Sequence, residues 1–371
     1  MNPNGEVHTP PHLVKEIYQH LIPYLEPYSH IDLYEPGIGP GVFHQYYPFH
    51  SNTTYYGCDL VYGHHIPPIV HGDFFDQVLG QYDVILGNLP FNQGIVHTPC
   101  SKQTKKSKTI WPSMLKRCLE HIKPNGYGAF IVPCIWLKPD KEHVYDALFS
   151  RKILYLKTYD STQSNKLFQY KCQTPICYVI IQNTNQPSIN IWDGTQFTPF
   201  TRMTPTSCIP TKHIDLFKKT MSYLKDCPRL TPIKVAYTKP IEKTPTGYVS
   251  ITSITKTINT FHSKEPTPYY GVPKIILANK LKPIPFKDLD GQYGIYGRDI
   301  YIFVGEQLDK IYDFLCIPII QQLIKSFIIR MNFYEKYIFE YLPDPRYSDV
   351  EPFLNSLKEE TKNLVQEQRL A

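Results

Sequence analysis

The sequence predicts an α/β protein: a doubly wound, mostly parallel sheet followed by a second domain of mixed α and β character. Three observations predict it. Short apolar runs alternate with helix-period segments as far as about residue 182, the pattern of strands joined by crossover helices. A Gly-x-Gly-x-Gly array, Gly37, Gly39 and Gly41, directly follows the first apolar run, as at a strand-to-helix turn. Beyond Gln182 the chain breaks into short Thr- and Pro-rich pieces. The expected division is residues 1–185, 186–345 and a terminal helix over 346–371.

Each element has a local reason. Leu13, Val14, Ile17, Leu21 and Tyr24 recur at helical spacing behind Thr9-Pro10-Pro11, so a helix starts at a proline signal. Ile31 to Tyr34 is a strand that runs into the glycine array, and Val42 and Phe43 open the next helix. Strands are expected at Thr54 to Leu60 and Asp83 to Leu86. A helix over Ile110 to His121 leads through Lys123-Pro124-Asn125-Gly126 into the strand Ala129 to Val132. Ile153 to Tyr159 and Ile176 to Gln182 extend the sheet. In the second domain a helix lies at Ile214 to Leu224, strands reach Ile300 to Val304, and helices come after Leu308. The apolar stretch Phe314 to Met331 carries Pro318, Gln321, Gln322, Lys325 and Arg330, so it reads as a buried helix rather than a membrane span.

Composition narrows the class. With 371 residues, 42% hydrophobic and 19% charged, most of the chain should fold into packed domains. A net charge of +6 suits a polyanionic partner without requiring one. Nine scattered cysteines include no Cys-x-x-Cys pair, which argues against a zinc site and for free thiols in a reducing compartment. No metal site is expected. The N-terminus lacks the basic start and apolar run of a secretory signal, so a soluble, intracellular protein is expected.

Several positions carry chemistry. Glycines at a strand-to-helix turn let a ligand approach the backbone, and the adjoining helix can offer amide donors. Glu35, just before the array, could hold an ammonium group. Asp59, about twenty residues on, stands where an acidic strand end accepts both hydrogen bonds of a ribose diol. Asp73 could read an adenine amino group, with Phe74 packed beside the ring. A strand-end Asp and a glycine turn are also common structural features, and nicotinamide or flavin sites share the array.

Gly87-Asn88-Leu89-Pro90-Phe91 ends the strand Asp83 to Leu86. The Asn88 side-chain oxygen and the Leu89 carbonyl form a pair of acceptors suited to an exocyclic amine, whose lone pair is otherwise delocalised into its ring. Pro90 restricts Leu89 to extended backbone, and Phe91 offers a face on which a displaced base could stack.

At these residues the chain resembles the N6-adenine DNA methyltransferases that place the cofactor motif first and the target-recognition domain last, including the modification enzymes of restriction systems. Thr9-Pro10-Pro11 is similar to the family's N-terminal motif, Glu35 to Gly41 to its cofactor loop, and Asp59 and Asp73 to its acidic cofactor ligands. Asn88 to Phe91 looks like its catalytic Asn-Pro-Pro-Phe/Tyr tetrad, with Leu89 in place of a proline. The likeness covers roughly residues 5 to 185. It implies a Rossmann-like S-adenosylmethionine-dependent methyltransferase fold, S-adenosylmethionine as cofactor, double-stranded DNA as partner and a flipped adenine as target.

The same resemblance implies target contacts. Phe168 matches the position of an aromatic edge against the flipped base, with core packing as the other reading. Lys102, Lys105, Lys106 and Lys108 form either a solvated loop or one that closes on phosphates. The second domain resembles recognition domains more loosely, through Val272 to Leu277, Asp290 to Gly294, Asn332-Phe333-Tyr334 and Tyr341 to Asp344. Asn-Leu-Pro-Phe and Ile38-Gly39-Pro40-Gly41 are also similar to the ribosomal-RNA adenine dimethyltransferases, which makes RNA the rival substrate. A degenerate, non-catalytic DNA-binding subunit is the third reading.

Overall fold

The computed structural model describes residues 7–60, 69–93, 108–169, 172–254, 257–279, 283–330, 333–355 and 357. The chain divides into two compact units, Met1–Thr201 and Arg202–Ala371.

In the first unit, helix α1 (Pro11–Leu25) buries Leu13, Val14, Ile17, Tyr18, Leu21 and Leu25, a face repeating every three to four residues. Pro11 occupies its first turn, where a missing N–H costs nothing. After it come β1 (Ile31–Pro36), α2 (Val42–Tyr46), β2 (Thr53–Asp59), β3 (Ile69–His71), β4 (Tyr82–Asn88), β5 (Asn92–Gln93) and β6 (Lys108–Thr109). The unit continues with α3 (Trp111–Glu120), β7 (Ile122–Pro133), α4 (Val144–Phe149), β8 (Lys152–Tyr159), α5 (Ser161–Leu167), β9 (Ile176–Gln182), β10 (Ser188–Trp192) and β11 (Phe197–Pro199). Nine of these strands form one sheet in the order β11-β10-β8-β9-β7-β4-β1-β2-β3.

Five of its eight strand pairings are parallel: β1 with β2 and β4, β2 with β3, β4 with β7, and β8 with β10. β9 runs antiparallel between β7 and β8. The central strands are buried on both faces, as covered parallel strands must be: in β4, Val84, Ile85 and Leu86 are all inaccessible. Because β1 is flanked by β2 on one side and β4 on the other, the strand order reverses there. Ligands of open α/β sheets sit in the crevice beyond the carboxyl ends of such a pair.

Two local expectations change. The sheet continues past residue 185, because β10 adds to β8 and β11 to β10. Phe197 of β11 packs edge-on against His20 and Tyr155, both at 4.9 Å between ring centroids. β10 is therefore an inner strand between β8 and β11, and only β11, with Thr198 and Pro199, is the edge strand, where proline is tolerated.

The second unit contains α6 (Ile214–Tyr223), β12 (Ile233–Tyr237), β13 (Lys243–Thr244), β14 (Tyr248–Ile254), β15 (Ile258–Ser263), β16 (Lys274–Ala278), β17 (Pro285–Asp288), β18 (Tyr293–Ile295), β19 (Gly297–Val304), α7 (Leu308–Cys316) and α8 (Pro318–Lys325). Its sheets have the orders β12-β19-β16-β17 and β13-β15-β14-β18. They share a core in which Val235, Ile251, Ile276, Ile295 and Ile302 meet. The expected helix over Phe314 to Met331 is broken: Ile317 is extended and Pro318 starts α8, since a proline ring clashes with a continuing helix. Of the expected terminal helix, 351–355 are helical, and 356–371 lie almost wholly outside the described residues.

A buried ion pair organises the second unit. Lys274 is 0% exposed; its Nζ donates to the Asp288 carboxylate and to the carbonyls of Tyr269 at 2.9 Å and Val272 at 3.1 Å. The Asp288 oxygens also accept the Gln292 and Tyr293 amides, at 2.7 and 3.1 Å. Burial lowers the Lys274 pKa, and Asp288 opposes that. A buried charge persists only when paired and hydrogen-bonded throughout.

Among the described residues, no helix is long and apolar enough to cross a membrane. Nor do three or more His, Cys, Asp or Glu side chains gather as metal ligands. The eight described cysteines are free thiols.

Candidate active site

Glu35, Asp59 and Asn88 sit at or beside the carboxyl ends of β1, β2 and β4, around the point where the strand order reverses. Between β1 and α2, Gly37, Gly39 and Gly41 take φ of 75°, 57° and 77°, left-handed values that a side chain makes costly. The loop's amides are already used. Gly37 and Ile38 donate to the Cys58 carbonyl at 2.9 and 3.2 Å, Gly41 to Ile38 at 3.1 Å, and Gly39 to Asp59 Oδ2 at 2.7 Å. Helix α2 is only five residues long. These four loop amides are engaged within the protein, so what the loop offers beside the Asp59 carboxylate is room.

A cavity opens beside it. Asp59 and Asp73 form its polar wall, and Phe74, Ile110 and Met114 its apolar wall. Gly37 and Pro90 also line it, close enough that a Cβ on Gly37 would lie 3.7 Å from Pro90. Asp73 caps its own turn by accepting the Phe75 amide at 2.9 Å. Arg117, from α3, braces that turn: its guanidinium lies 5.1 Å from the Phe74 ring centroid and donates to the Phe75 carbonyl at 2.7 Å and to that of Gln77. Sequence reasoning missed Arg117. It lies 44 residues from Asp73 on a helix whose pattern shows only a polar face.

Glu35 does not line the cavity. It is 1% exposed and accepts a hydrogen bond from the Tyr55 hydroxyl at 2.5 Å. Burial pushes its carboxyl well above the ordinary range; the Tyr55 bond opposes this, and Asp59 adds to it. Among the described residues no cation pairs with it. A carboxyl raised in the folded state stabilises below its unfolded pKa of about 4.5 and loses that contribution as pH rises towards the folded value. Glu35→Gln should therefore flatten the fall of stability above about pH 5, where one retained proton corresponds to a slope of about 1.4 kcal/mol per pH unit. Urea unfolding of both proteins from pH 5 to 8 checks this; parallel curves would remove the buried neutral carboxyl.

Thr9 is buried ahead of α1, and Pro10 forms the N-cap. Just before them, the Val7 carbonyl accepts a hydrogen bond from Asn88 Nδ2 at 3.1 Å. Two acceptors would repel, so this contact fixes the Asn88 amide and keeps Oδ1 as the oxygen for a ligand. Leu89 is 1% exposed, so burial of its side chain holds the loop in place. Pro90 is exposed at the cavity. Phe91 is half-buried against the α1-side core, and its carbonyl accepts the Ile110 amide at 3.2 Å.

Phe168 is 3% exposed inside that same core. Core packing accounts for it, and the reading of an aromatic edge open to a base is corrected, since no face is accessible. Lys102, Lys105 and Lys106 lie outside the described residues. Lys108 belongs to β6, whose backbone pairs with β5 directly after the tetrad.

No family model matches the sequence, and no similar curated protein is found. Solved structures with a related architecture exist. The type IIG restriction endonuclease BpuSI is similar over 95% of this chain and 60% of its own, at 9% identity and a TM-score of 0.42. The M protein of the type I restriction enzyme EcoKI is similar over 51% and 48%, at 16% identity and a TM-score of 0.38. A presumed class I S-adenosylmethionine-dependent methyltransferase from Listeria monocytogenes is similar over 49% and 62%, at 12% identity and a TM-score of 0.37. The chain spans less than two thirds of the length of each. These are partial likenesses, to proteins described as an S-adenosylmethionine-dependent methyltransferase and as restriction enzymes.

Proposed function

We propose that the chain is an S-adenosylmethionine-dependent DNA methyltransferase that modifies the exocyclic N6 of adenine, with residues 1–201 as catalytic unit and the second unit as target-recognition domain. The observation that carries this reading is Asn88: its amide is fixed by Val7 at the end of β4, in the tetrad whose Pro90 lines the cavity with Asp59 and Asp73. The cavity residues fit an adenosine. Asp59 offers a carboxylate to a ribose diol, Asp73 an acceptor to an adenine amine, and Phe74, Ile110 and Met114 an apolar slot for the base. Gly37 leaves the backbone open there.

When bound, S-adenosylmethionine supplies an electrophilic methyl group. The chain's own residues prepare the nucleophile. Asn88 Oδ1 and the Leu89 carbonyl accept the two amine hydrogens, which favours a pyramidal nitrogen whose lone pair is free. Phe91 stacks the extruded base, returning about 1–3 kcal/mol of the few that extrusion costs. Double-stranded DNA is the partner.

Methyl transfer from labelled cofactor to duplex DNA, single-stranded DNA and RNA, measured side by side, tests this. Label should appear in duplex DNA as N6-methyladenine. Label confined to RNA would favour the rival enzyme class, and cofactor binding without transfer to any of the three would favour a non-catalytic subunit.

A further inference from the structure

The net positive charge of the chain lies in its second unit, with 24 Lys and Arg against 18 Asp and Glu over 202–371. Residues 233–304, the strands β12 to β19, carry ten Lys and Arg against five Asp and Glu; the other 299 residues carry 29 against 28. Residues 1–201 balance at fifteen against fifteen, so the excess of +6 belongs to the second unit, where 202–232 add six against two and 305–371 eight against eleven. A polyanion would be drawn to the second unit, its β-rich stretch included, rather than to the first.

Within it one element is left partly uncovered. The β14–β15 hairpin is paired from Tyr248↔Ser263 to Ile254↔Ile258. Its flanking strands cover only the base: β18 pairs with Val249 to Ile251, and β13 with His262 and Ser263. Past these residues, among the described ones, the β15 side of this two-stranded ribbon is exposed at Ile258, Asn259 and Thr260, whereas on β14 Thr252 and Ser253 are half-buried and Ile254 is buried. A bulge between Ile251 and Ser253 lets Ile251 and Ile254 both bury in the core. An exposed polar edge usually marks a surface that another molecule pairs with or reads.

The exposed side chains of the ribbon suit base edges. Asn259 and Thr260 are exposed. Asn259 Nδ2 donates to Ser253 Oγ at 2.9 Å, and its carbonyl accepts Thr252 Oγ1 at 3.0 Å. That cross-strand bracing holds the Asn259 amide while sparing an oxygen and a second N–H. At the ribbon's base the exposed Lys243 places its Nζ 5.0 Å from the Phe261 ring centroid, a cation–π contact that holds the ammonium beside the ribbon.

Resting on the methyltransferase reading above, we infer that the β14–β15 ribbon enters the major groove of duplex DNA, where Asn259 reads an adenine and Lys243 meets a phosphate. The groove of B-form DNA, about 12 Å wide, admits a two-stranded ribbon, whereas that of A-form RNA is too narrow. An asparagine amide matches the donor and acceptor of adenine N6 and N7.

The test is selection from a randomised duplex pool by the full-length chain, its Asn259→Ala variant and its Lys243→Gln variant, with affinities followed across salt. Asn259→Ala should lose preference for adenine at one position and weaken binding to the parent motif about 5- to 150-fold, with the salt slope unchanged. Lys243→Gln should keep the motif and reduce the slope by about 0.9. Both positions are exposed, and matching thermal melts would show that folding is intact. If Asn259→Ala selects the parent motif at parent affinity while duplex methylation persists, the ribbon is not the reader and the methyltransferase reading stands. If the parent protein neither binds nor methylates duplex DNA but acts on RNA, both fail.

Discussion

Replacing Asn88 by Ala is expected to reduce methyl-transfer turnover by about 10²–10³-fold or more while cofactor affinity changes less than about threefold. The asymmetry comes from where the side chain sits. Asn88 ends β4 and is held by Val7, whereas Asp59, Asp73 and Phe74 line the cavity proposed for the cofactor. An acceptor whose bonds strengthen as the amine pyramidalises stabilises the transition state more than the ground state, so its loss lowers kcat. Single-turnover label transfer gives the first quantity and calorimetry the second. Near-parental turnover in the folded variant would end the catalytic assignment, and a large loss of cofactor affinity would place Asn88 in the cofactor site instead.

Lys274→Met is expected to destabilise the second unit by about 3–5 kcal/mol, the usual cost of stranding one partner of a buried ion pair. The reason lies in the fully satisfied network. Lys274 closes contacts to Tyr269, Val272 and Asp288, while Asp288 holds the amides of Gln292 and Tyr293. Methionine fills the space of the lysine stem but leaves the buried Asp288 carboxylate without its counter-ion, with the Gln292 and Tyr293 amides still donating to it. Urea unfolding read by probes in each unit measures the loss, and cofactor affinity of the first unit should be retained. A change below about 1 kcal/mol would mean that water or a shifted loop replaces the ammonium.

Particular elements explain how much was legible in the amino-acid order. The face of α1 and the positions of β1, β2 and β4 lay open in the sequence because each repeats within a few residues and ends at a glycine, proline or polar signal. The order Asn88 to Phe91 at the end of β4 was legible too, since those residues are contiguous. Arg117 was not: bracing the Asp73 turn depends on α3 packing beside it. Phe168 was ambiguous because an aromatic that packs and one that stacks on a base have the same local sequence, and only its burial in the α1-side core separates them. β10 and β11 were read as a new domain because their pairing onto β8 is a tertiary choice that their own residues do not signal.

By itself, then, the amino-acid order determined the alternation of strands and helices, the left-handed glycine loop and the succession of acidic and amide-bearing strand ends. Those features are local, set by backbone sterics and by apolar period. Only the tertiary structure decided that β1 lies between β2 and β4, bringing Asp59 of β2 and the tetrad after β4 around the glycine loop. It also decided that Glu35 is sealed beside Tyr55 rather than open to the cavity, and that β14 and β15 run on beyond their neighbours. Strand neighbours and burial depend on which surfaces the whole chain hides together, and that collective choice has no signature within a short window of sequence.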